Sequence, residues 1–190
     1  MSRHIYIFLL LLGTGFILAS CVMVRAPTDE ELKALDQPPA DVVTKVDKLL
    51  PRALEWYGRV EAKILQQGRP LSASELAVAR KLGVKNPERV RVLVLARFPM
   101  PDDRELRSEA QHYGMGSSYE GGRTLGYAVM LKPRFAGNSA ILTHELVHVS
   151  QHDRLGRKAF VRRYLVEMEM MGHARAPLEL EAYRKQHNYR

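Results

Sequence analysis

Residues 138–152 of this 190-residue chain have the sequence NSAILTHELVHVSQH, whose residue pattern is typical of a helix. Asn138 or Ser139 is suited to the N-cap position, because either side chain can accept a hydrogen bond from a free backbone N–H of the first turn. Positions four apart in an α-helix lie one turn along the axis and about 40° apart around it. We therefore expect His144 and His148 to project from the same face of this helix.

Two imidazoles placed in this way are able to bind one metal ion, while Glu145 projects to the side of it. Zinc suits such a pair, because it accepts neutral imidazole nitrogens and tolerates an open coordination position. Water on a zinc ion has a pKa near 7, and a nearby carboxylate can take its proton during attack on a carbonyl. The sequence thus predicts a zinc centre with His144 and His148 as ligands and Glu145 as general base. The alternative interpretation is a pair of hydrogen-bonded core histidines.

A zinc ion at this site needs a third protein ligand. His152 follows in line on the same helix, which would give poor tetrahedral geometry. A second helix is predicted to begin at Pro177, and it carries Glu179 and Glu181 in its first turns. Both carboxylates are candidate ligands, and each is otherwise a charge near the positive end of a helix dipole. The other downstream candidates are Asp153, Glu167, Glu169, His173 and His187.

The segment from Thr124 to Tyr183 resembles small bacterial zincin-like proteins, which combine a strand, a His-Glu-Leu-x-His-Val-x-Gln helix and a Glu-x-Glu-Ala helix. The resemblance rests on residues 126–127, 144–151 and 179–182. It implies a metallopeptidase-like fold and a peptide or protein substrate. In gluzincins the third ligand is a glutamate on a later helix, and the first Glu of a Glu-x-x-Ala-Asp pattern binds zinc, so Glu179 is preferred to Glu181. Tyr183 stands where that pattern has its aspartate, which removes the usual carboxylate partner of a ligand histidine.

The N-terminus resembles the signal peptide of bacterial lipoproteins. Arg3 precedes an apolar run over residues 5–12, and residues 18–21 have the sequence Leu-Ala-Ser-Cys. In that family the peptide is cut before the cysteine, so residues 1–20 would be removed and Cys21, the only cysteine, would be lipidated. The resemblance implies a periplasm-facing protein anchored in the cell envelope, and Val22 in place of aspartate favours the outer membrane. The alternative is an uncleaved anchor, because residues 5–24 are just long enough to span a bilayer.

The remaining chain is predicted to form one α+β domain, mostly helical, with a small sheet packed on the HExxH helix. Three prolines mark residues 21–40 as a tether, and the domain covers residues 41–190. The periodicity predicts helices over residues 42–50, 51–67, 72–82 and 102–112, and strands over residues 89–98 and 123–131.

Two features near the predicted site have possible roles in catalysis. The strand over residues 125–131 is expected to be an edge strand that pairs with an extended peptide, and the glycine-rich loop over residues 114–122 is a candidate lip of the cleft. Tyr127 is a candidate for holding an oxyanion, although a tyrosine that fills the core is the simpler interpretation. His112 and His173 are predicted to be surface residues.

The formal charge of +8 arises from 29 Lys and Arg residues against 21 Asp and Glu residues. Nucleic acid is not an expected partner, because no nucleic-acid-binding motif accompanies these charges and their spacing is that of a solvated helix face. Three functions remain open: a membrane-tethered zinc metallopeptidase, a non-catalytic lipoprotein stabilised by zinc, and a non-peptidase hydrolase. The sequence does not predict an oligomeric state. The densest basic group is Arg154, Arg157, Lys158, Arg162 and Arg163.

Overall fold

The computed structural model describes residues 25–188. The predicted signal peptide and the lipidation site Cys21 lie outside these residues. Between Arg25 and Asn188, no helix is both long enough and apolar enough to cross a bilayer. The segment predicted as a tether contains a short helix, and Arg175 binds its Glu31 at 2.6 Å.

The described residues form a mostly helical domain with a small mixed sheet. Its helices are Asp29–Ala34 (α1), Ala40–Gln67 (α2), Ala73–Lys81 (α3), Arg104–His112 (α4), Ser139–Leu155 (α5), Arg157–Met171 (α6) and Pro177–Lys185 (α7). Its strands are Arg69–Pro70 (β1), Arg91–Val94 (β2), Gly122–Leu125 (β3) and Ala128–Leu131 (β4). Short 3-10 helices occupy Pro87–Arg89, Pro133–Phe135 and His173–Arg175.

The sheet has the strand order β1-β2-β4-β3, in which only the β2–β4 pair is parallel. Helix α5 packs against β3 and β4 on one side and against α6 and α7 on another. The predicted α+β class, with a small sheet beside the HExxH helix, is therefore confirmed. Two apolar clusters flank the sheet, one built mainly on α2 and α6 and the other on α3 and α5.

Several predicted helix boundaries are confirmed by their caps. Helix α3 begins after Ser72, which forms a capping box with Glu75, and α5 begins after Asn138, whose side chain accepts a hydrogen bond from Ile141 N. Helix α7 begins at Pro177, where the missing N–H of proline costs nothing.

The predicted break at Pro51 is wrong, because α2 continues through it as one 28-residue helix. A proline inside a helix removes one hydrogen bond and costs about 3 kcal/mol. The apolar stripe continues on both sides of Pro51, with Leu49, Leu50 and Ala53 all buried, and this packing outweighs the local cost.

The predicted single strand over residues 123–131 is also wrong, because the chain forms a hairpin with Gly126 and Tyr127 as its turn. Gly126 has φ +63°, and a Cβ there would overlap the carboxylate of Glu61. Buried groups from α2 hold the turn: Tyr57 Oη accepts a hydrogen bond from Gly126 N, and Glu61 Oε1 accepts one from Tyr127 N at 3.0 Å. The edge strand of the sheet is therefore β3. Residues 128–131, which were predicted to belong to the edge strand, form β4, and β4 lies inside the sheet between β2 and β3.

Candidate metal centre

Helix α5 presents the site from the interior of the domain. All ten residues from Leu142 to Gln151 are buried. Leu146 and Val147, the two residues inside the motif, are each 1% exposed and pack in the apolar cluster shared with α3 and the sheet. This packing directs the opposite face of the helix, which carries His144 and His148, toward α7.

Three ligand atoms converge where α5 meets α7. The two histidine Nε2 atoms lie 3.2 Å apart. His144 Nε2 lies 3.2 Å from Glu179 Oε2, and His148 Nε2 lies 3.4 Å from Glu179 Oε1. A tetrahedral ion with bonds of about 2.0–2.1 Å separates its ligand atoms by about 3.3 Å. The three predicted ligand residues, His144, His148 and Glu179, are therefore brought together with the spacing that one small metal ion requires, and they are called the trio below.

The buried carboxylate of Glu179 has one oxygen without a hydrogen-bond partner among the described residues. Glu179 is 2% exposed, and its Oε1 accepts a hydrogen bond from Tyr164 Oη at 2.9 Å. Its Oε2 is buried without a hydrogen-bond partner among the described residues, although ring nitrogens of His144 and His173 lie within 3.3 Å. A buried carboxylate oxygen without a partner is costly. A metal ion at the centre of the trio would satisfy it.

Helix α7 is held in place by a second buried carboxylate. No side chain of the preceding segment caps α7. Instead Glu167 of α6, which is fully buried, accepts hydrogen bonds from Leu178 N and from Arg163 Nε, both at 2.8 Å. Because Leu178 directly precedes Glu179, this contact fixes the backbone that carries the Glu179 carboxylate.

The ring of His148 is oriented by Gln151, one turn further along α5. Gln151 Nε2 donates to the backbone oxygen of Leu178 at 2.9 Å and to Glu181 Oε2 at 3.1 Å. Both partners only accept, so they fix the amide orientation and leave Gln151 Oε1 facing His148 Nδ1 at 2.8 Å. In its neutral form His148 therefore carries its proton on Nδ1 and directs the lone pair of Nε2 toward His144 and Glu179.

A second glutamine has the same role for His144. Gln186 Oε1 lies 3.2 Å from His144 Nδ1. Gln186 is the C-cap residue of α7, three residues after Tyr183, whose ring packs against His144 with ring centroids 4.8 Å apart. Glu181, the rival ligand, lies outside the trio, because it pairs with Arg154 at 2.9 Å and Lys185 at 2.7 Å.

The metal-free site attracts a proton in place of an ion. Burial alone lowers the pKa of His148, but the charge and hydrogen bond of Glu179, together with the charge of Glu145, raise this pKa to about 9. Burial opposes ionisation of Glu179, yet His148 and His144 hold its pKa well below the ordinary value. The cluster is therefore built to surround positive charge.

Glu145 lies between this trio and the edge of the sheet. Its Oε2 accepts a hydrogen bond from Thr124 Oγ1 at 2.7 Å, and the same hydroxyl lies 3.0 Å from the backbone oxygen of Glu145. Gly122 approaches Oε1 so closely that a Cβ there would overlap the carboxylate. Strand β3 thus fixes the position of the predicted general base through contacts with both of its carboxylate oxygens.

The site opens into a cavity of about 470 Å³. The three ligand residues and Glu145 lie in its wall, and the glycine-rich loop over residues 114–122 contributes part of the rim. The rest of the wall is mostly apolar and comes from the core between α2, α4 and α6. Its buried members include Ala53, Trp56, Leu106, Ala110, Phe160 and Val161.

The simpler interpretation of Tyr127, a tyrosine that fills the core, is confirmed, because it is 5% exposed and packs in the apolar cluster of α3 and α5. Tyr127 points away from the site: its hydroxyl donates to Asp153 and accepts from Asn86 Nδ2 at 3.1 Å, so it holds no oxyanion. The prediction that His173 is a surface residue is also confirmed. His173 is half-exposed, and its Nε2 lies 3.3 Å from Glu179 Oε2 in the cavity wall. His152 is not a ligand, because it lies among the rings of Tyr57, Tyr127 and Phe160.

The basic residues of α5 and α6 are largely paired with acids. Arg154 pairs with Glu181, Arg157 with Glu61, Arg162 with Asp47 and Arg163 with Glu167.

Comparison of the chain with models of protein families, with curated proteins and with solved structures finds no match. The functional assignment therefore rests on the geometry of the site.

Proposed function

We propose that this protein is a zinc-dependent metallopeptidase of the cell envelope, anchored to the membrane through lipidated Cys21, which hydrolyses peptides or proteins with Glu145 as general base. The observation that carries the proposal is the trio of candidate ligand atoms 3.2–3.4 Å apart in the wall of an open cavity, with a second carboxylate, that of Glu145, in the same wall. Three protein ligands with access for water and substrate distinguish catalytic zinc sites from closed structural sites.

The donor set supports zinc as the ion. Two neutral imidazole nitrogens and one carboxylate are among the ligands that zinc prefers, and the oriented Nε2 lone pairs match its tetrahedral geometry. Hard ions such as Mg²⁺ and Ca²⁺ instead prefer shells of oxygen ligands. When bound, zinc lowers the pKa of water and polarises a carbonyl.

The residues of the chain supply the remaining parts of a hydrolytic site. Thr124 holds the carboxylate of Glu145 in place through Oε2, and Glu145 accepts the proton of the attacking water and later delivers it to the leaving amine. The outer edge of β3 supplies a place for substrate. Lys132 N donates to Gly121 O, so by register the backbone groups of Gly122 and Thr124 point away from β4. An extended peptide can pair with them beside Glu145.

The proposal is tested by separating metal binding from turnover. The zinc content of the purified full-length chain is measured for the unsubstituted protein and for His148→Ala, Glu145→Gln and Glu55→Gln. Glu55 is an exposed carboxylate of α2 far from the trio, which makes it the matched control. We expect one zinc per chain in all except His148→Ala, and loss of hydrolysis of a casein or peptide-library substrate in His148→Ala and Glu145→Gln only.

Two results would contradict the proposal. If Glu145→Gln still hydrolyses the substrate, the assignment of Glu145 as general base is wrong. Stoichiometric zinc with no hydrolysis in any variant supports the alternative, a non-catalytic lipoprotein stabilised by zinc.

A further inference from the structure

We propose, on the basis of the proposed function, that the site recognises an internal, apolar segment of a polypeptide and not a charged chain end. The inference rests on the charges in the cavity wall rather than on the metal trio. Enzymes that remove terminal residues need a counter-ion for the terminal carboxylate or ammonium group, because burying an unpaired charge is strongly unfavourable.

The part of the wall that the structure describes offers no free lysine or arginine for a terminal carboxylate, and its histidines, His144, His148 and His173, all face Glu179. Among the described residues that line the cavity, Arg123 is the only lysine or arginine. Its Nε binds Glu120 Oε1 at 2.7 Å, another guanidinium nitrogen donates to the backbone oxygen of Pro99, and the group lies over the Phe98 ring. Arg123 is 8% exposed, so its charge is already neutralised within the wall.

The wall also has no free carboxylate for a terminal ammonium group. Apart from Glu145 and Glu179, the lining acids in the described part of the chain are Glu109 and Glu120. Glu109 binds Lys45 Nζ at 2.8 Å. Glu120 binds Arg123 and also accepts a hydrogen bond from Gly116 N at 2.8 Å.

The remaining surface favours apolar groups. The part of the cavity beyond the trio, called the chamber below, is lined by the core cluster of α2, α4 and α6. The whole cavity has a volume of about 470 Å³, which is in the range that holds a sizeable ligand. Full burial of one large apolar side chain increases binding by a factor of roughly 10 to 150. The outward backbone groups of β3 allow the segment to continue past the site in both directions.

The first test compares matched peptides on the zinc-loaded full-length chain in detergent. One peptide has blocked ends and a Phe- and Leu-containing centre, and a second has blocked ends and a Ser- and Asp-containing centre. Two short substrates carry the same apolar residues next to a free amino or a free carboxyl terminus. We expect kcat/KM to be at least tenfold higher for the blocked apolar peptide than for each of the others. Equal or faster cleavage of either free-terminus substrate overturns the inference while leaving the proposed function in place.

The second test measures binding without turnover. Trp56 is the only tryptophan of the chain and lies in the cavity wall, so its fluorescence reports occupancy. In zinc-loaded Glu145→Gln, the blocked apolar peptide should change Trp56 emission and the polar peptide should not. Ala110→Phe, which fills part of the chamber, should weaken this response at least tenfold with unchanged zinc content. Binding that is equal for both peptides, or unaffected by Ala110→Phe, contradicts the inference. Failure of the proposed function alone would appear as apolar-peptide binding with no hydrolysis by the unsubstituted protein.

Discussion

Replacement of Gln151 by methionine, which keeps the length of the side chain, is expected to weaken zinc binding about 10- to 100-fold. The amide is fully buried and forms three hydrogen bonds, to His148 Nδ1 at 2.8 Å, to the Leu178 oxygen at 2.9 Å and to Glu181 at 3.1 Å. Methionine makes none of them. His148 then loses the acceptor that holds its proton on Nδ1, and the ring is free to protonate Nε2 or to rotate.

The magnitude follows from the role of such partners in metal sites. Loss of the hydrogen-bond partner of a ligand histidine typically reduces metal affinity 10- to 100-fold, which corresponds to about 1.4–2.7 kcal/mol. The free energy of unfolding of the metal-free protein should fall separately by about 1–3 kcal/mol, because three hydrogen bonds of about 1 kcal/mol each are lost and methionine recovers part of this by apolar burial.

The assay is competition for zinc with a chromophoric chelator, accompanied by urea unfolding of the metal-free protein. The exposed Gln66 of α2 provides the control Gln66→Met, which should change neither quantity. A zinc affinity of Gln151→Met within twofold of the unsubstituted value, together with reduced stability, would show that Gln151 only joins α5 to α7. The reasoning about the His148 tautomer would then be refuted.

Three further predictions test the charge and the shape of the site. Because the pKa of His148 without metal is about 9, zinc must displace a proton from this ring at pH 7. Zinc affinity should therefore rise up to tenfold per pH unit until about pH 9. Calorimetry in two buffers of different ionisation enthalpy should detect about one released proton. In the metal-free protein the same raised pKa stabilises the fold fully below about pH 6.5, and this stability is lost as the pH rises through about 9. Gly122→Ala should displace Glu145 and lower kcat at least tenfold without loss of zinc, whereas Gly137→Ala, where a Cβ meets no neighbour, should leave kcat unchanged. Absence of proton release, or equal kcat in the two alanine variants, would contradict these assignments.

The parts of the site that lie within one helix were predictable from the sequence. The spacing of His144 and His148 is a local property of α5, and the cap at Asn138 and the apolar spacers made the helix recognisable. For Glu179 the sequence offered only its resemblance to a Glu-x-x-Ala pattern, and both Glu179 and Glu181 remained candidates. The packing of α7 on α5 decides between them, because it directs Glu179 to the histidines and leaves Glu181 paired with Arg154.

The remaining parts depend on contacts between distant segments. Tyr164 and Gln186 contact the trio only through the packing of α5, α6 and the end of α7. Gln151 lies one turn from His148 on α5, but no periodicity marks a glutamine that orients an imidazole. The hairpin turn was missed for a similar reason. Gly126 interrupts an apolar run without changing its pattern, and the groups that fix the turn, Tyr57 and Glu61, come from α2.

The four buried glutamates of the described chain divide into two kinds, and the division supports a divalent ion. Glu61 and Glu167 each bind an arginine and a backbone N–H, so their charges are compensated within the fold. Glu145 and Glu179 are equally buried, but outside the histidine pair their hydrogen bonds come only from the hydroxyls of Thr124 and Tyr164. Burial of two carboxylates side by side requires nearby positive charge. The raised pKa of His148 supplies one proton, and an ion of charge +2 between the same residues would supply the full balance.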